Sequence, residues 1–403
     1  MDMSKVISYQ FESCQKCLRC LRACPTGAIR MENGKVNINN EKCIGCDECL
    51  AACPARGLKA YSDSLDTLKN YDYKVLLVPT ALLSDLDSLA EYRQTLMALK
   101  KLGFDEVIDL SSVEGALYKF ARQYVSESGL KYAITATCPA IRKLIEVKYP
   151  MLLSAILPFK DCAEVMAEKL RKEYGTSKGK LGIYNLCECA AKLSLSKQYN
   201  PDQHLEIDHS LTIASVFPAI QKQRNSEELE SEICKEGIKS TVQDLYNQGR
   251  YENDILAVDD LKKVSQVLEL AEFDRLKEVK LLALYACPNG CIGGRFLWGN
   301  PYNGRIKIER FLPFAKAKVA DIAFTDVFRL PKSIHTDEKT NMQDQVNHFL
   351  EVNKCLEQLP GFDCGACGFP SCRAMAEEMT LGHTSQADCR IIQSRKGEQH
   401  DSK

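Results

Sequence analysis

The segment KLLALYACPNGCIGG, residues 280–294, joins a continuous apolar run to a loop rich in cysteine and glycine. Apolar runs without polar alternation are typical of parallel strands that helices cover on both faces. Five further probable strands of this region are Tyr73–Val78, Val107–Leu110, Tyr132–Thr137, Leu181–Leu186 and Leu211–Ala214. Because helical segments separate these strands, the sequence predicts an α/β fold with parallel sheets flanked by helices.

Length and composition limit the kind of protein this can be. A chain of 403 residues exceeds what one hydrophobic core usually holds, so we expect two or three domains. Hydrophobic residues make up 45% of it, and no apolar run is long enough to cross a bilayer. With 53 basic and 54 acidic residues, the chain has no electrostatic surface for nucleic acid or an anionic membrane. The polar N-terminus lacks an apolar signal core, so we expect a cytoplasmic protein.

Cysteine is the most informative residue type in the chain. A protein in a reducing cytosol gains nothing from disulfides, so its twenty cysteines are expected to act as metal ligands or redox groups. They form blocks of eight, seven and five cysteines within residues 14–53, 138–291 and 355–389. The blocks predict three metal-bearing domains, with boundaries at 1–61, 62–335 and 336–403.

The first block is an internal repeat. The spacing C-x2-C-x2-C-x3-C-P occurs at residues 14–25 and again at residues 43–54. Zinc sites normally use two separated cysteine pairs, so zinc is the weaker alternative here. Between the repeats, residues 28–38 alternate around Asn33-Gly34, which predicts a tight hairpin. Repeat and hairpin together resemble the bacterial two-cluster ferredoxin.

The ferredoxin resemblance implies two [4Fe-4S] clusters. In that pattern three thiolates of a cluster come from one repeat and the fourth comes from the other. One set would be Cys14, Cys17, Cys20 and Cys53, and the second would be Cys43, Cys46, Cys49 and Cys24. Such clusters transfer electrons and also stabilise a small core, so we expect both roles.

Three cysteine motifs follow probable strands in the middle block. They are TATCP at residues 135–139, CECAAK at residues 187–192 and YACPNGCIGG at residues 285–294. Ligands of parallel sheets gather at the carboxyl ends of the strands, so these distant cysteines are expected to converge. In order and spacing the motifs are similar to the signature loops of [FeFe]-hydrogenases: Thr-Ser-Cys-Cys-Pro, Pro-Cys-x-x-Lys and Met-x-Cys-x-x-Gly-Cys-x-x-Gly-Gly.

The hydrogenase resemblance covers about residues 1–330 and implies a hydrogenase-like catalytic domain that holds an H-cluster. The H-cluster joins a [4Fe-4S] cubane to a diiron unit with CO, cyanide and a bridging dithiolate. The implied cubane ligands are Cys138, Cys189, Cys287 and Cys291, and the Cys291 sulfur would also bridge to the diiron unit. Lys192 would donate a hydrogen bond to a cyanide. Pro79 and Gly290 would line the cofactor pocket, where a glycine lets the backbone approach closely.

The sequence departs from the hydrogenase pattern around the implied diiron unit. Thr137 stands where active hydrogenases have the cysteine that passes protons to the bridge, and an alcohol is a far weaker acid than a thiol. Cys187 and Tyr285 replace two methionines, and Leu195 replaces an acidic residue. These changes resemble the divergent, sensory branch of the family. That resemblance implies sensing of H2 or redox state, with slow reversible H2 oxidation and proton reduction.

The residues leave alternatives to this interpretation. Four cysteines demand only a cubane, so the chain could be a pure electron-transfer protein or a structural part of a larger redox complex. A working hydrogenase of modest turnover is a further possibility. The implied partners are H2 and protons, a redox protein or a signalling partner such as a phosphatase or kinase, and maturation proteins.

The last block predicts a small domain of its own. LPGFDCGACGFPSC at residues 359–372, followed by Cys389, resembles the single-cluster domain of several anaerobic redox proteins. This implies a third accessory [4Fe-4S] cluster on Cys364, Cys367, Cys372 and Cys389, with a zinc knuckle as the alternative. Before this segment, residues 342–359 show helical spacing of apolar residues, with Asp337 as a helix cap. That helix is expected to pack on the body of the protein or on a second copy in a homodimer.

Four cysteines have no ligand role in this scheme. Cys162, Cys234 and Cys355 are expected to be small buried apolar residues or incidental thiols. Cys187 differs from them because its position adjoins the predicted pocket.

Overall fold

The computed structural model describes residues 6–135, 137–196, 206–246, 254–329 and 342–398, without the side chains of 342–346 and 396–398. The chain divides into two compact units. The larger unit comprises Met1–Ile7, Ile44–Asp47 and Ala60–Leu330, and the smaller unit comprises Ser8–Cys43, Glu48–Lys59 and Pro331–Lys403. Within the described ranges, no helix is both long and apolar enough to span a membrane.

The secondary structure alternates strands and helices through the middle of the chain. The strands are β1 (Ile7–Tyr9), β2 (Ile29–Glu32), β3 (Lys35–Ile38), β4 (Leu58–Ala60), β5 (Tyr73–Val78), β6 (Glu106–Asp109), β7 (Ala133–Ile134), β8 (Leu181–Cys187), β9 (His209–Thr212), β10 (Ile255–Val258) and β11 (Leu281–Leu284). The α-helices are α1 (Arg19–Ala23), α2 (Glu48–Ala52), α3 (Leu89–Lys100), α4 (Ser111–Ser128), α5 (Pro139–Lys148), α6 (Cys162–Tyr174), α7 (Ala190–Leu193), α8 (Ile213–Gln223), α9 (Lys235–Thr241), α10 (Leu261–Glu272), α11 (Pro301–Glu309), α12 (Met342–Glu357), α13 (Cys372–Thr380) and α14 (Arg390–Glu398).

Two parallel sheets form the framework of the larger unit. One has the strand order β6-β5-β8-β9 and the other the order β10-β11-β7, and every neighbouring pair is parallel. Val75 and Ile183 of the first sheet share a buried apolar cluster with Leu281 of the second, while Leu282 and Leu284 belong to another buried cluster. The predicted α/β class with helix-flanked parallel sheets is therefore confirmed.

The strand predictions differ from the structure mainly at the ends of strands. β5 has the predicted bounds, whereas β7 is only two residues long because the chain turns at once into the cysteine loop. The prediction extends β9 to Ala214, which is wrong: α8 begins at Ile213, since the Thr212 side chain accepts a hydrogen bond from Ser215 N at 3.1 Å and caps the helix. β10 was not expected from the sequence.

The smaller unit contains the predicted hairpin. β2 and β3 pair antiparallel around Asn33 and Gly34, whose φ angles are +49° and +72°. Two successive residues with positive φ are the signature of a type I′ turn, as the Asn-Gly pair predicts. In the C-terminal part, α12 confirms the helix expected there, while its predicted cap Asp337 lies outside the described residues. The predicted three-domain boundaries stay predictions.

Candidate metal centres

The three cysteine loops of the larger unit all begin where a parallel strand ends. Cys138 follows β7 and precedes α5, whose first residue is Pro139, a residue favoured at that position. Cys189 follows β8 and precedes α7, and the third loop starts just beyond β11. All three loops therefore begin at the carboxyl ends of parallel strands, as the sequence predicts.

Among the four cysteines implied as middle cubane ligands, Cys189 and Cys291 each interact electrostatically with both Cys138 and Cys287. Burial raises the pKa of the Cys287 thiol, and Cys138 and Cys291 raise it further. Burial likewise raises the pKa of Cys189, with Cys287 and Cys138 among the groups that add to it. Each of these thiols thus resists ionisation until a cation is present, and iron would supply that charge.

Glycines hold the third loop tightly against its neighbours. Gly290 has φ +87°, and a Cβ atom there would lie 2.4 Å from the carbonyl oxygen of Thr241. A Cβ atom on Gly294 would lie 2.4 Å from the carbonyl oxygen of Glu188, which follows β8. The third loop therefore reaches its position only because these residues lack side chains.

Replacing Gly290 by alanine should disrupt this loop. We expect the free energy of unfolding to fall by about 3 kcal/mol, the combined cost of strain at positive φ and a backbone clash. Gly175→Ala is the matched control, because Gly175 also has positive φ (+49°) but no atom within 4 Å of an added Cβ. Thermal unfolding with iron analysis measures both, and equal losses in the two variants would contradict the close approach.

The first ferredoxin-like set is assembled in the smaller unit. Burial, with contributions from Cys53, Cys14 and Cys17, raises the pKa of Cys20 to about 11. The backbone N–H of Lys16 donates to Cys14 Sγ at 3.4 Å. Gly57 N–H likewise donates to Cys53 Sγ at 3.2 Å, and donors of this kind tune an iron–sulfur cluster.

The second ferredoxin-like set is divided by the boundary between the units. Cys46 lies in the larger unit, while Cys24, Cys43 and Cys49 lie in the smaller one, so this set stays a prediction. Within the larger unit, the Asp47 side chain accepts a hydrogen bond from Ala190 N at 2.9 Å. Cys46 is also among the groups that raise the pKa of Cys287, after burial. One ligand of the second set therefore adjoins the middle cysteines.

The C-terminal set is brought together around α13. Burial raises the pKa of Cys367, and Cys389 and Cys364 raise it further. Cys372 packs in the same apolar cluster as Cys367 and Cys389, and so does Cys355. The structure thus brings together the four predicted ligands, with Cys355 as a neighbour.

The chemistry of the three assembled sets suits cubanes. Among the described residues, no group of three or more Cys, His, Asp or Glu side chains is arranged to hold a metal ion. A cubane does not require such a group, because each of its four thiolates binds a different iron. Four thiols within mutual electrostatic range are the donors that a [4Fe-4S] cluster needs.

A small, partly open cavity lies beside Cys291. Its volume is about 30 Å³, enough for about two water molecules. Three residues singled out by the sequence, Thr137, Lys192 and Cys291, line it together with Glu114, Leu117, Lys160, Asp161, Cys162, Ser240 and Thr241. The Thr137 hydroxyl is buried and has no hydrogen-bond partner within the described chain.

Lys192 already has a counter-charge. Its Nζ atom lies 3.0 Å from Glu188 Oε1, and the two side chains are 8% and 1% exposed. Burial alone lowers the pKa of Lys192, but Glu188 and other nearby acidic groups outweigh burial and hold that pKa above its usual value. Burial also raises the pKa of Glu114 to about 6, although Lys192 acts in the opposite direction.

The four thiols suit a cubane, whereas the cavity beside Cys291, as it stands in this structure, is small for a diiron unit, and the diiron half of the H-cluster stays a prediction. A diiron unit with carbonyl, cyanide and dithiolate ligands is many times larger than two water molecules. Its cyanides are also anionic, whereas the cavity already contains the carboxylates Glu114 and Asp161. The Lys192 ammonium, which would donate a hydrogen bond to a cyanide, is paired with Glu188. In this structure, size and charge both oppose the diiron half of an H-cluster.

Four other predicted pocket residues are not among those lining the cavity. Cys187 and Tyr285 are fully or almost fully buried, and Tyr285 Oη donates to the Ser240 carbonyl oxygen at 2.6 Å. Pro79 follows β5, and Gly290 packs on Thr241. Their roles in cofactor binding stay predictions.

Sequence reasoning missed several residues of the site. Glu188 could have been identified from the sequence, because it occupies the proline position of the Pro-Cys-x-x-Lys loop. Cys162 is buried as expected, yet it lines the cavity and is not incidental. Glu114, whose Oε2 atom accepts a hydrogen bond from Thr241 Oγ1 at 2.8 Å, lies in no motif and could be found only from the structure.

Known family models match three separate segments of the chain. Residues 6–54 match a family model described as "4Fe-4S dicluster domain". Residues 83–244 match "Iron only hydrogenase large subunit, C-terminal domain", and residues 359–391 match "Putative Fe-S cluster". No curated protein matched the sequence.

Solved structures similar to the chain include [FeFe]-hydrogenases. One, reported for oxygen inactivation through its H cluster, has a TM-score of 0.46 and 15% identity, covering 60% of this chain and 87% of that chain. A variant of HydA1 from Chlamydomonas reinhardtii has a TM-score of 0.45 and 14% identity, with 60% and 87% covered. By these family matches, residues 83–244 are similar to the C-terminal domain of the iron-only hydrogenase large subunit, and iron–sulfur segments match on either side of them, at residues 6–54 and 359–391.

Proposed function

We propose that this protein is a redox-responsive electron-transfer protein built on a hydrogenase-like fold. The observation that carries the proposal is the convergence of Cys138, Cys189, Cys287 and Cys291 in the larger unit. A cubane held there would exchange single electrons without proton transfer. Cys46, which belongs to the larger unit, packs against the same apolar cluster as Cys138 and Cys189.

The residues around the middle cysteines restrict what the site does. The Glu188–Lys192 pair and the small cavity leave little space for a bulky ligand on Cys291 in this arrangement. Buried acidic groups and a charged lysine surround the site, and such groups tune the potential of a cluster. The geometry therefore favours electron storage and transfer over turnover of a substrate, with the redox state passed to a redox or signalling partner.

A second candidate is an H2 sensor with slow H2 turnover at a complete H-cluster. It is favoured by one observation: Thr137, Lys192 and Cys291 line a single cavity, as the hydrogenase resemblance implies. It requires the Glu188–Lys192 pair to open and the cavity to widen. Its substrates would be H2 and protons, and a phosphatase or kinase would be a possible recipient of the signal.

Infrared spectroscopy and iron analysis of the protein, expressed with hydrogenase maturation proteins, separate the two candidates. We expect about sixteen irons and sixteen sulfides per chain, the content of four cubanes, and no CO or cyanide stretching bands. Bands of a bound diiron unit would instead establish the second candidate. In that case H2 evolution with a reduced dye should be slow and should rise in Thr137→Cys, because a thiol relays protons better than an alcohol. Stoichiometric zinc with only two cubanes would contradict both.

A further inference from the structure

Three basic side chains contact one buried carboxylate in the smaller unit. Glu378 lies on α13, and its side chain is 5% exposed. It forms an ion pair with Arg30 of β2, and Lys42 Nζ lies 3.0 Å from its Oε1 atom. His383 Nδ1 lies 2.8 Å from Oε2. Two of these partners belong to the ferredoxin-like segment and one to the C-terminal segment.

The charge state of Glu378 suits a structural ion pair. Burial by itself raises its pKa, but hydrogen bonds from His383, Lys42 and Arg30 outweigh burial and lower the pKa to about 2. The carboxylate is therefore ionised throughout the physiological range. Removing that charge would leave Arg30 and Lys42 without their shared partner.

A backbone contact lies next to this cluster of charges. Met31 N–H of β2 donates to the Gly368 carbonyl oxygen at 3.4 Å. Gly368 has φ +89°, and a Cβ atom there would lie 2.7 Å from the Met31 carbonyl oxygen. The Arg30 guanidinium also lies over the Phe369 ring, 5.0 Å from its centroid. Only glycine allows this approach between the loop that follows Cys367 and the hairpin.

A second contact joins the ligand loops themselves. A Cβ atom on Gly365, between Cys364 and Cys367, would lie 3.4 Å from Leu21 Cδ2. Leu21 follows Cys20 directly and is 1% exposed. The loop of the C-terminal set therefore packs on the loop of the first ferredoxin-like set, with no solvent at Leu21.

From these contacts we propose that Glu378 is a positioning residue that holds the C-terminal iron–sulfur segment on the ferredoxin-like hairpin, so that the two cluster sites exchange electrons directly. This inference rests on the proposed function, because it assumes that both sites hold cubanes. The exchange moves one electron from a reduced cluster to its oxidised neighbour and breaks no bond. The C-terminal site is thereby an extension of the ferredoxin-like electron path.

Electron paramagnetic resonance of the full chain, reduced with dithionite, tests this proposal. Two reduced clusters held close together broaden each other's signals through spin–spin interaction. Beyond the interaction between the two ferredoxin-like clusters themselves, we expect a further interaction in the wild type that disappears in Cys364→Ala, which lacks the C-terminal cluster. Glu378→Gln should retain its iron but lose at least about half of the interaction. Glu377→Gln is the matched control, since Glu377 is the adjacent residue, is 50% exposed and pairs only loosely with Arg373 at 3.7 Å.

A second variant and a second measurement distinguish loss of this contact from misfolding of the variant. Arg30→Met removes the ion pair from the ferredoxin side and should weaken the interaction in the same direction. Hydrogen exchange at the Met31 amide should accelerate in both variants, because its hydrogen bond to Gly368 would be lost. An unchanged spin–spin interaction in Glu378→Gln and Arg30→Met at full iron content would overturn the proposal. Failure of the proposed function would appear separately, as CO and cyanide bands in the infrared spectrum of the same samples.

Discussion

Lys192→Met should lower the thermal midpoint of the protein by roughly 5 °C, corresponding to a loss of about 3–5 kcal/mol. The variant leaves the Glu188 carboxylate 1% exposed and without its ion-pair partner. Neither carboxylate oxygen of Glu188 has a hydrogen bond of good geometry within the described chain, so little else compensates the charge. Thermal unfolding at equal iron content measures the effect.

The chain offers a close control for this variant. Lys263 pairs with Asp259 at the same separation of four residues and the same 3.0 Å distance, but Lys263 is 65% exposed. Because exposed pairs contribute little, Lys263→Met should shift the midpoint by no more than about 2 °C. The double variant Glu188→Gln, Lys192→Met should recover most of the loss, since it removes both charges. Equal shifts in the two lysine variants would show that the Glu188–Lys192 pair is not buried.

Cys291→Ala should remove the middle cubane and leave the other clusters in place. The expected loss is about four irons per chain, because a cubane that loses one of its thiolates is poorly held. Cys187→Ala is the matched control: Cys187 is fully buried beside the same loops, but it is not a predicted ligand. Iron analysis and the spectra of the reduced protein measure both variants.

Two outcomes would contradict this assignment. Full iron content in Cys291→Ala would show that the four convergent cysteines do not share a cluster. An equal iron loss in Cys187→Ala would show that the iron depends on general packing and not on the predicted ligands. The same samples show whether the accessory clusters are independent of the middle site.

The cluster-binding segments and the class of fold could be predicted from the sequence by itself. Ligand spacing within each loop, the Asn33-Gly34 turn and the apolar strands are local patterns, because neighbouring residues impose them through backbone geometry and periodicity. The convergence of the middle cysteines was also predictable, since parallel strands carry their following loops to the same edge of a sheet. The end of β9 was misjudged, because the capping hydrogen bond of Thr212 outweighs the apolar character of Ile213 and Ala214.

Other features depend on tertiary structure. The cavity beside Cys291 takes Glu114 from α4, Cys162 from α6 and Thr241 from α9, and no spacing rule connects these residues. Glu378 meets Arg30 across more than three hundred residues of sequence. Whether a buried charge finds a partner, and how much space its neighbours leave, depends on the packing of distant segments and not on local backbone preference. The sequence by itself therefore determined where iron–sulfur clusters can be held, whereas only the tertiary structure decided that Glu188 neutralises Lys192 and that the space beside Cys291 is small.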